Sequence, residues 1–398
     1  MFMKTTVAFI FGCRSVEHEV SIISAVQAMR AVNKEKYDIV PIYVTKNGEM
    51  YTSEKMFEIE PFRDTKALIA DSEPVTMVKS GNDVVLKFLN NKMFSKKKDI
   101  VLNVAFPVVH GTNCEDGTLQ GYLEFLGLPY VGCDILSSAV GMDKAVFKYV
   151  MKEAGLPVLD CICFYAREYS KQREEIIAKA EKEIGYPMIV KPVNLGSSVG
   201  ISKANDKNAL LDAIDLAVSF SDKVLIEHAV SAIREINCSV VGDPDSCSAS
   251  VCEEPFMNDE ILSYEDKYMA NSKSSGSKGM ASLMRKIPAD IPDEKSEEIR
   301  ELAKKVFKAL GASGVVRIDF IIDTDTDKVY VNEINTIPGS LSFYLWEETN
   351  MPYSELLDTL ISLAFRRNRN RENLTFTINT NILSGVSFGT KGVKGSKI

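Results

Sequence analysis

Four polar residues set into two apolar runs mark where this chain could do chemistry. The runs are Val315–Ile322 and Val329–Ile334; they carry Arg317, Asp319 and Glu333, with Asn335 one residue beyond. Two such runs around a polar turn read as a β-hairpin buried on at least one face. Charged groups in that setting are costly unless they pair or coordinate an ion. Asp319 near the start of one strand and Glu333 and Asn335 near the end of its partner would lie side by side across the hairpin. Three converging oxygen donors suit Mg²⁺, which takes carboxylates together with phosphate oxygens and water. Arg317 supplies a fixed positive charge beside them. The layout is that of a nucleotide-phosphate site in an enzyme. A structural hairpin with one Arg–carboxylate pair is the plainer alternative, but four polar groups exceed what one pair requires. The turn Asp323–Lys328 opens like a calcium loop. It has Lys328 in place of the Gly and Ile334 in place of the closing Glu, and so reads as a solvated turn.

A second stretch, Tyr186–Lys203 (YPMIVKPVNLGSSVGISK), has a buried strand ending in Lys191 and then a Gly/Ser-rich loop. Gly196 and Gly200 would let backbone N–H groups approach phosphates closely, and Lys191 would place an ammonium on them. A Gly/Ser turn after a strand is common, so this signal is weak alone. The C-terminal GTKGVKGSK lacks P-loop spacing and reads as a flexible end. Arg366–Arg371 (RRNRNR) follows an amphipathic helix and reads as its solvated basic end, suited to the macrodipole.

The elements that must position these residues follow from the pattern along the chain. Residues 1–140 alternate strand and helix: strand Val7–Phe11, helix Val20–Val32, strand Ile39–Val44, strand Ile100–Val109, with a hairpin Val75–Lys79/Val84–Leu89 turned at Gly81–Asn82. Alternation of this kind predicts an open parallel sheet with helices on both faces. An α+β block follows: helices Asp143–Ala154, Lys171–Ile184 and Lys207–Phe220, strands Ile162–Tyr165 and Met188–Val190. A last block begins near Val224–Glu227 and includes the hairpin above and helix Glu294–Leu310. The fold class is α/β and α+β, divided as 1–140, 141–223, 224–372 and a tail 373–398.

At 398 residues, two or three domains are expected, and 45% hydrophobic with 26% charged residues is an ordinary globular composition. A net charge of −8 argues against general nucleic-acid affinity. The apolar run Thr5–Phe11 is too short for a membrane span and leads into GCRSVEHE with no cleavage site, so it reads as a strand. Eight cysteines without C-x-x-C or zinc spacing imply free thiols in a reducing cytoplasm, and the Asn237 and Asn373 sequons read as coincidental.

Five segments in order, FGCRSVEHEVSIISA (11–25), HGTNCEDGTLQGYLEFLGLPYVG (110–132), MDK (142–144), the Lys191 loop and RIDF…NEINTIPG, resemble the D-alanine–D-alanine ligases of the ATP-grasp superfamily. The similarity runs from about residue 5 to residue 365. It implies a three-domain ATP-grasp fold and an ADP-forming carboxylate–amine ligase that uses ATP with Mg²⁺ or Mn²⁺ in peptidoglycan synthesis. By resemblance, Lys144 and Lys191 hold ATP phosphates, with Gly196 and Ser198 in the covering loop. Glu227 lies at the adenine edge and Glu235 at the ribose, one residue further from Glu227 than the family pattern expects. Asp319, Glu333 and Asn335 match the metal ligands. Glu17 binds the first substrate's ammonium, His110 sits near its carboxylate, and Ser197 and Tyr268 link to Glu17. Lys267, Arg317 and the Gly339 backbone face the second substrate and the oxyanion. Tyr264–Ser282 is the candidate lid, and the family forms homodimers through the N-terminal domain.

Some of these residues have plainer readings. Glu17 and Glu19 would also stabilise a helix N-terminus; His110 would serve as a loop histidine with a backbone partner; Tyr268 and Trp346 would pack in a core. The chain departs from the family at Cys13 and Cys114, usual Gly positions, and at Tyr344-Leu345, where a Ser-Leu pair ordinarily grips the second D-alanine carboxylate. The second substrate therefore stays open between D-alanine, D-serine and another amino acid; Tyr268 disfavours D-lactate. A non-catalytic nucleotide-binding relative is disfavoured because the metal ligands, both phosphate lysines and Arg317 are all present.

Overall fold

The computed structural model describes residues 4–90, 97–196, 199–255, 285–378 and 380–385. In the first sheet, β1 (Thr5–Gly12), β2 (Tyr37–Val44), β3 (Met50–Thr52), β4 (Glu73–Ser80), β5 (Asp83–Phe88), β6 (Ile100–Leu102) and β7 (Val104–Val108) lie in the order β6-β5-β4-β3-β2-β1-β7. Only β2, β1 and β7 are mutually parallel; β3 to β6 add antiparallel strands. The expected parallel strands form the β2-β1-β7 part, and the expected hairpin, β4 and β5 joined by the Gly81–Asn82 turn between the facing Ser80 and Asp83, lies in the antiparallel part. The single strand expected over Ile100–Val109 is two strands. Asn103 interrupts it, its Oδ1 accepting from Thr6 N at 2.8 Å and its own N–H donating to Thr6 O at 3.0 Å.

The second sheet is antiparallel, with β8 (Cys161–Tyr165), β9 (Met188–Pro192), β10 (Ser202–Ala204) and β11 (Lys223–His228) in the order β10-β9-β11-β8. Helices Arg173–Glu183 and Lys207–Phe220 bury Ile177, Leu210 and Ile214 against Val190 and Ile226. The expected division at 223/224 falls at the start of β11. The strand β11 is an interior member of this sheet, and a cut there would strip it from both neighbours.

The third sheet holds β12 (Ile233–Gly242), β13 (Cys247–Pro255), β14 (Arg285–Lys286), β15 (Gly314–Asp323) and β16 (Lys328–Asn335), all antiparallel, in the order β14-β13-β12-β15-β16. Ile236, Cys238, Val316, Ile318 and Phe320 form a core with Val306 and Phe307 of helix Asp293–Ala309. Because side chains alternate along a strand, sealing that face commits Glu235, Asn237, Ser239, Arg317 and Asp319 to the other. The turn Asp323–Lys328 is a solvated Asx turn, with Asp325 N and Thr326 Oγ1 donating to the Asp323 carboxylate.

The C-terminal helix Tyr353–Glu372 returns to the first sheet, where Leu356, Leu357, Leu360 and Ile361 join the core of Val7, Phe9 and Phe11. Its basic end is not merely solvated, which corrects the sequence reading. Arg367 donates to the Tyr130 carbonyl at 2.6 Å and to the Gly132 carbonyl, and stacks on the Tyr130 ring at 4.2 Å. Arg366 pairs with Asp243 and Arg371 with Glu124. Among the described residues no helix is long and apolar enough to cross a membrane.

Candidate active site

Strand register builds the centre of the site. Glu253, Asn237, Asp319 and Glu333 are successive Cα partners across β13, β12, β15 and β16, one polar row over four strands. Arg317 faces Asn335 two residues along. The register slips between Asp319 and Phe320, leaving Asn332 opposite the bulge. Arg317 grips Asp319 with two hydrogen bonds, Nε to Oδ1 at 2.7 Å and a terminal nitrogen to Oδ2 at 2.8 Å, and Asn335 Nδ2 donates to Oδ2 at 3.0 Å. Burial pushes the Asp319 carboxyl up; Arg317 opposes this, while Glu333 and Glu253 add to it, for a net rise. Burial alone would lower Arg317, but Asp319 overrides it and holds the guanidinium well above its ordinary value.

Lys144 and Lys191 reach this region from the second sheet's side. Asp143 caps the helix Lys144–Glu153, its Oδ1 accepting from Ala145 N and Val146 N at 3.0 and 2.9 Å. Lys144 then lies 3.2 Å from Glu333 Oε2 and donates to the Leu195 carbonyl at 2.9 Å. One helical turn on, Lys148 is 2.7 Å from Glu227 Oε2, and Lys191 pairs with Glu227 Oε1. All three side chains are sealed from solvent. Burial would raise the Glu227 carboxyl, but the two lysines take it down to about 2. Glu235 lies on β12 opposite Ile321, two residues from Asn237 and on the same face.

On the first-sheet side, Glu17 precedes the helix His18–Ala31 and is buried. Its carboxylate lies against two glycines: a Cβ built on Gly111 would stand 3.0 Å from Oε2, and one on Gly196 3.4 Å. The Lys191 loop thus approaches Glu17 where a side chain would crowd it. Both nitrogens of buried His110 are engaged: Nδ1 bonds the Ile337 carbonyl at 2.8 Å and Nε2 bonds Ser24 Oγ at 2.8 Å. A carbonyl only accepts, so Nδ1 carries the proton and Ser24 donates to Nε2. Burial lowers this imidazole, in keeping with the neutral ring. Ser24 Oγ in turn accepts from Ser340 N at 2.9 Å, tying His110 to the segment after Gly339.

That segment is unusual. Ser340, Leu341 and Ser342 all have positive φ, 50°, 54° and 50°, a left-handed turn made without glycine. It delivers Tyr344 and Leu345 to the buried side of the helix Phe343–Glu347. Tyr344 donates to Glu253 Oε1 at 3.1 Å, and burial, with Glu253, raises its phenol to about 12. Trp346 is the packed aromatic expected, its Nε1 donating to Ser239 Oγ at 3.0 Å. Cys13 also has positive φ, 71°, a conformation that glycine adopts without strain, whereas Cys114 is buried in the first core.

Several residues in this region had not been singled out. Lys148 had a signal, since it lies four residues after Lys144 on one helix face. Glu115 had a weak one in HGTNCED; its carboxylate accepts from Gly111 N at 2.7 Å and Ile337 N at 3.0 Å, and burial, then Glu17, raises it to about 8. Asn237, Glu253 and Arg285 had none. Ser197, Ser198, Lys267 and Tyr268, the lid Tyr264–Ser282 and the tail glycines lie outside the described residues.

Most of the chain has known counterparts. Residues 6–133 match the family model of the D-ala D-ala ligase N-terminus, and residues 150–362 that of the D-ala D-ala ligase C-terminus. A protein of Caldicellulosiruptor bescii named D-alanine–D-alanine ligase is 42% identical over 392 residues, 94% of this chain and 99% of the relative. Among solved structures, the D-alanine–D-alanine ligase of Coxiella burnetii superposes with a TM-score of 0.76 at 28% identity, covering 93% of this chain and 96% of that one. The VanG D-Ala:D-Ser ligase of Enterococcus faecalis gives 0.74 at 32% identity, covering 91% and 100%. The polar row across the third sheet, the lysines facing it and this end-to-end likeness make the chain a member of the D-alanine–D-alanine ligase family, ATP-dependent ligases of the ATP-grasp fold.

Proposed function

We propose that this enzyme joins two D-alanines, consuming ATP and yielding D-alanyl-D-alanine, ADP and phosphate for peptidoglycan precursors. The observation that carries the reading is the Asp319–Glu333 pair on one sheet row, flanked by Arg317 and Lys144, in a chain matched end to end by that family. Relatives 39–42% identical over more than nine-tenths of the chain bear the D-alanine–D-alanine name, against 32% for the D-Ala:D-Ser ligase VanG, which favours two D-alanines over a mixed dipeptide.

A carboxylate does not acylate an amine at neutral pH, so the γ-phosphoryl group of ATP passes to the first D-alanine and makes an acyl phosphate. The second D-alanine's amine attacks that carbonyl, and phosphate leaves. In this scheme Glu17 holds the first ammonium, and Lys144 and Lys191, with the loop of Gly196, Ser197 and Ser198, take the phosphates. Glu227 and Glu235 border the nucleoside. For Lys191 that role requires it to share its charge between Glu227 and the incoming phosphate. Arg317 and the Gly339 N–H stabilise the tetrahedral oxyanion. Tyr344, Leu345 and Lys267 border the second amino acid, and Tyr268 closes onto the first.

Asp319, Glu333 and Asn335 are hard oxygen donors on one face, and two carboxylates with an amide suffice for a cation that keeps water and phosphate ligands. Burial raises the Asp319 carboxyl first, and Glu333 and Glu253 add to the rise; a divalent cation would relieve that added repulsion. Mg²⁺ or Mn²⁺ bound there would neutralise charge on the transferring phosphoryl group. His110 and Glu115 hold the first-substrate loop through their bonds to Ile337. We place the enzyme in the cytoplasm as a homodimer, with its second unit running to His228.

The test is Mg²⁺-dependent phosphate release with D-alanine alone, products identified by mass spectrometry, then with D-serine and L-amino acids added. Robust D-alanyl-D-alanine from D-alanine alone is expected. A mixed dipeptide with little product from D-alanine alone would overturn the reading.

A further inference from the structure

The third sheet contains a guanidinium whose carboxylate-binding edge has no partner among the described residues. Arg285 on β14 faces Pro255 of β13, two residues along from Glu253, so it stands on the face that carries the polar row. One terminal nitrogen lies 3.0 Å from Glu253 Oε2, and the guanidinium sits 4.3 Å from the centroid of the Tyr344 ring. Glu253 is held in turn: its Oε1 accepts from Asn237 Nδ2 and from the Tyr344 hydroxyl, each at 3.1 Å. The Arg285 side chain is only 9% exposed. Yet among the described residues nothing accepts from its Nε or its other terminal nitrogen.

That free edge has a known use in this same chain. Arg317 holds Asp319, and Arg234 holds Glu254, each through Nε and a terminal nitrogen on the two carboxylate oxygens. Leaving such donors buried without acceptors is costly, and a planar carboxylate is the group that satisfies both at once. The Tyr344 hydroxyl, by contrast, is already committed to Glu253.

We propose that Arg285, fixed by Glu253 and by stacking on Tyr344, binds the carboxylate of the second, accepting amino acid. The proposal rests on the ligase reading, which puts Tyr344 at the acceptor subsite. It makes Glu253 and Tyr344 positioning residues that act through Arg285. The bulky Tyr344 then provides a ring for a guanidinium rather than a hydroxyl for a carboxylate.

The experiment is a competition at that subsite alone. The full-length enzyme receives ATP, Mg²⁺, D-alanine and an excess of D-alaninamide, which has the amine but no carboxylate. Mass spectrometry reads the ratio of D-alanyl-D-alanine to D-alanyl-D-alaninamide. Both products share donor, ATP and acyl phosphate, so the ratio is blind to general damage. The wild-type enzyme should favour the free acid, and Arg285→Gln should lower the ratio about tenfold or more. Because Arg285→Gln leaves Glu253 buried without its cation, the charge-free pair Glu253→Gln/Arg285→Gln is run beside it and should show the same fall. An unchanged ratio in the pair overturns the proposal. A wild-type enzyme that makes no dipeptide from D-alanine overturns the ligase reading itself, and the proposal with it.

Discussion

Glu227 stands between two lysines from different elements, Lys148 of the helix Lys144–Glu153 and Lys191 of β9, and all three are sealed from water. One carboxylate with two ammoniums is a buried triad carrying a net positive charge. Removing a partner from a buried ion pair costs more than the pair contributes, because the remaining charge stays desolvated. Glu227→Gln should therefore destabilise the protein by on the order of 3 kcal/mol, because it leaves two buried ammoniums without their carboxylate. Thermal unfolding checks this. The acid limb gives a second reading. Glu227 is held at about 2, below its ordinary 4.5, so its stabilisation is full above pH ~4.5 and is lost as pH falls toward 2. Glu227→Gln should flatten that limb.

Glu115 predicts the opposite slope. Its carboxyl is raised to about 8, so the folded state keeps a proton that the unfolded chain gives up near pH ~4.5. The contribution is complete below that value and drains away as pH rises to about 8. Denaturant unfolding between pH 5 and pH 9 should show falling stability in the wild type. Glu115→Gln should remove that slope and cost roughly 1–3 kcal/mol at pH 5, since one of the two N–H groups on its oxygens loses an acceptor.

Ser342 is strained in two ways. Its φ is 50°, and its buried hydroxyl has no partner among the described residues. Ser342→Gly removes the Cβ that the left-handed conformation disfavours together with the unpaired oxygen. The substitution should raise the thermal midpoint, with a gain of up to about 1 kcal/mol. A lower midpoint would mean that the hydroxyl is satisfied in solution.

The proposed cation site makes a prediction independent of turnover. Glu333→Gln removes one hard donor while keeping the shape of the strand pair. Mn²⁺ binding with ADP, followed by electron paramagnetic resonance, should weaken by about a hundredfold or more, and phosphate release should fall with it. Equal Mn²⁺ affinity in the variant would place the cation elsewhere.

How much of this was legible beforehand depends on sequence distance. The hairpin of β15 and β16 was, because its period-2 alternation and polar turn are local, and the turn sets which residues face one another. That put Asp319 beside Glu333 and Asn335 across the hairpin, but not the shift between Asp319 and Phe320 that sets Asp319 opposite Glu333 and Arg317 opposite Asn335. The β4–β5 hairpin was legible for the same reason. The break at Asn103 was not, because an apolar run looks the same whether one strand or two are made of it.

The sequence by itself determined the family, the chemistry-bearing side chains and the strands that carry them, since these rest on residue types and short spacings. Only the tertiary structure decided how those charges are shared out. It set Lys148 and Lys191 on Glu227, buried Glu115 so that its carboxyl is raised, and laid Arg285 over Tyr344 with Glu253 bonded to both. Charge state and pairing follow from burial and from neighbours far along the chain, as with Tyr344 and Glu253, 91 positions apart. Tertiary packing decides both, and no local pattern records it.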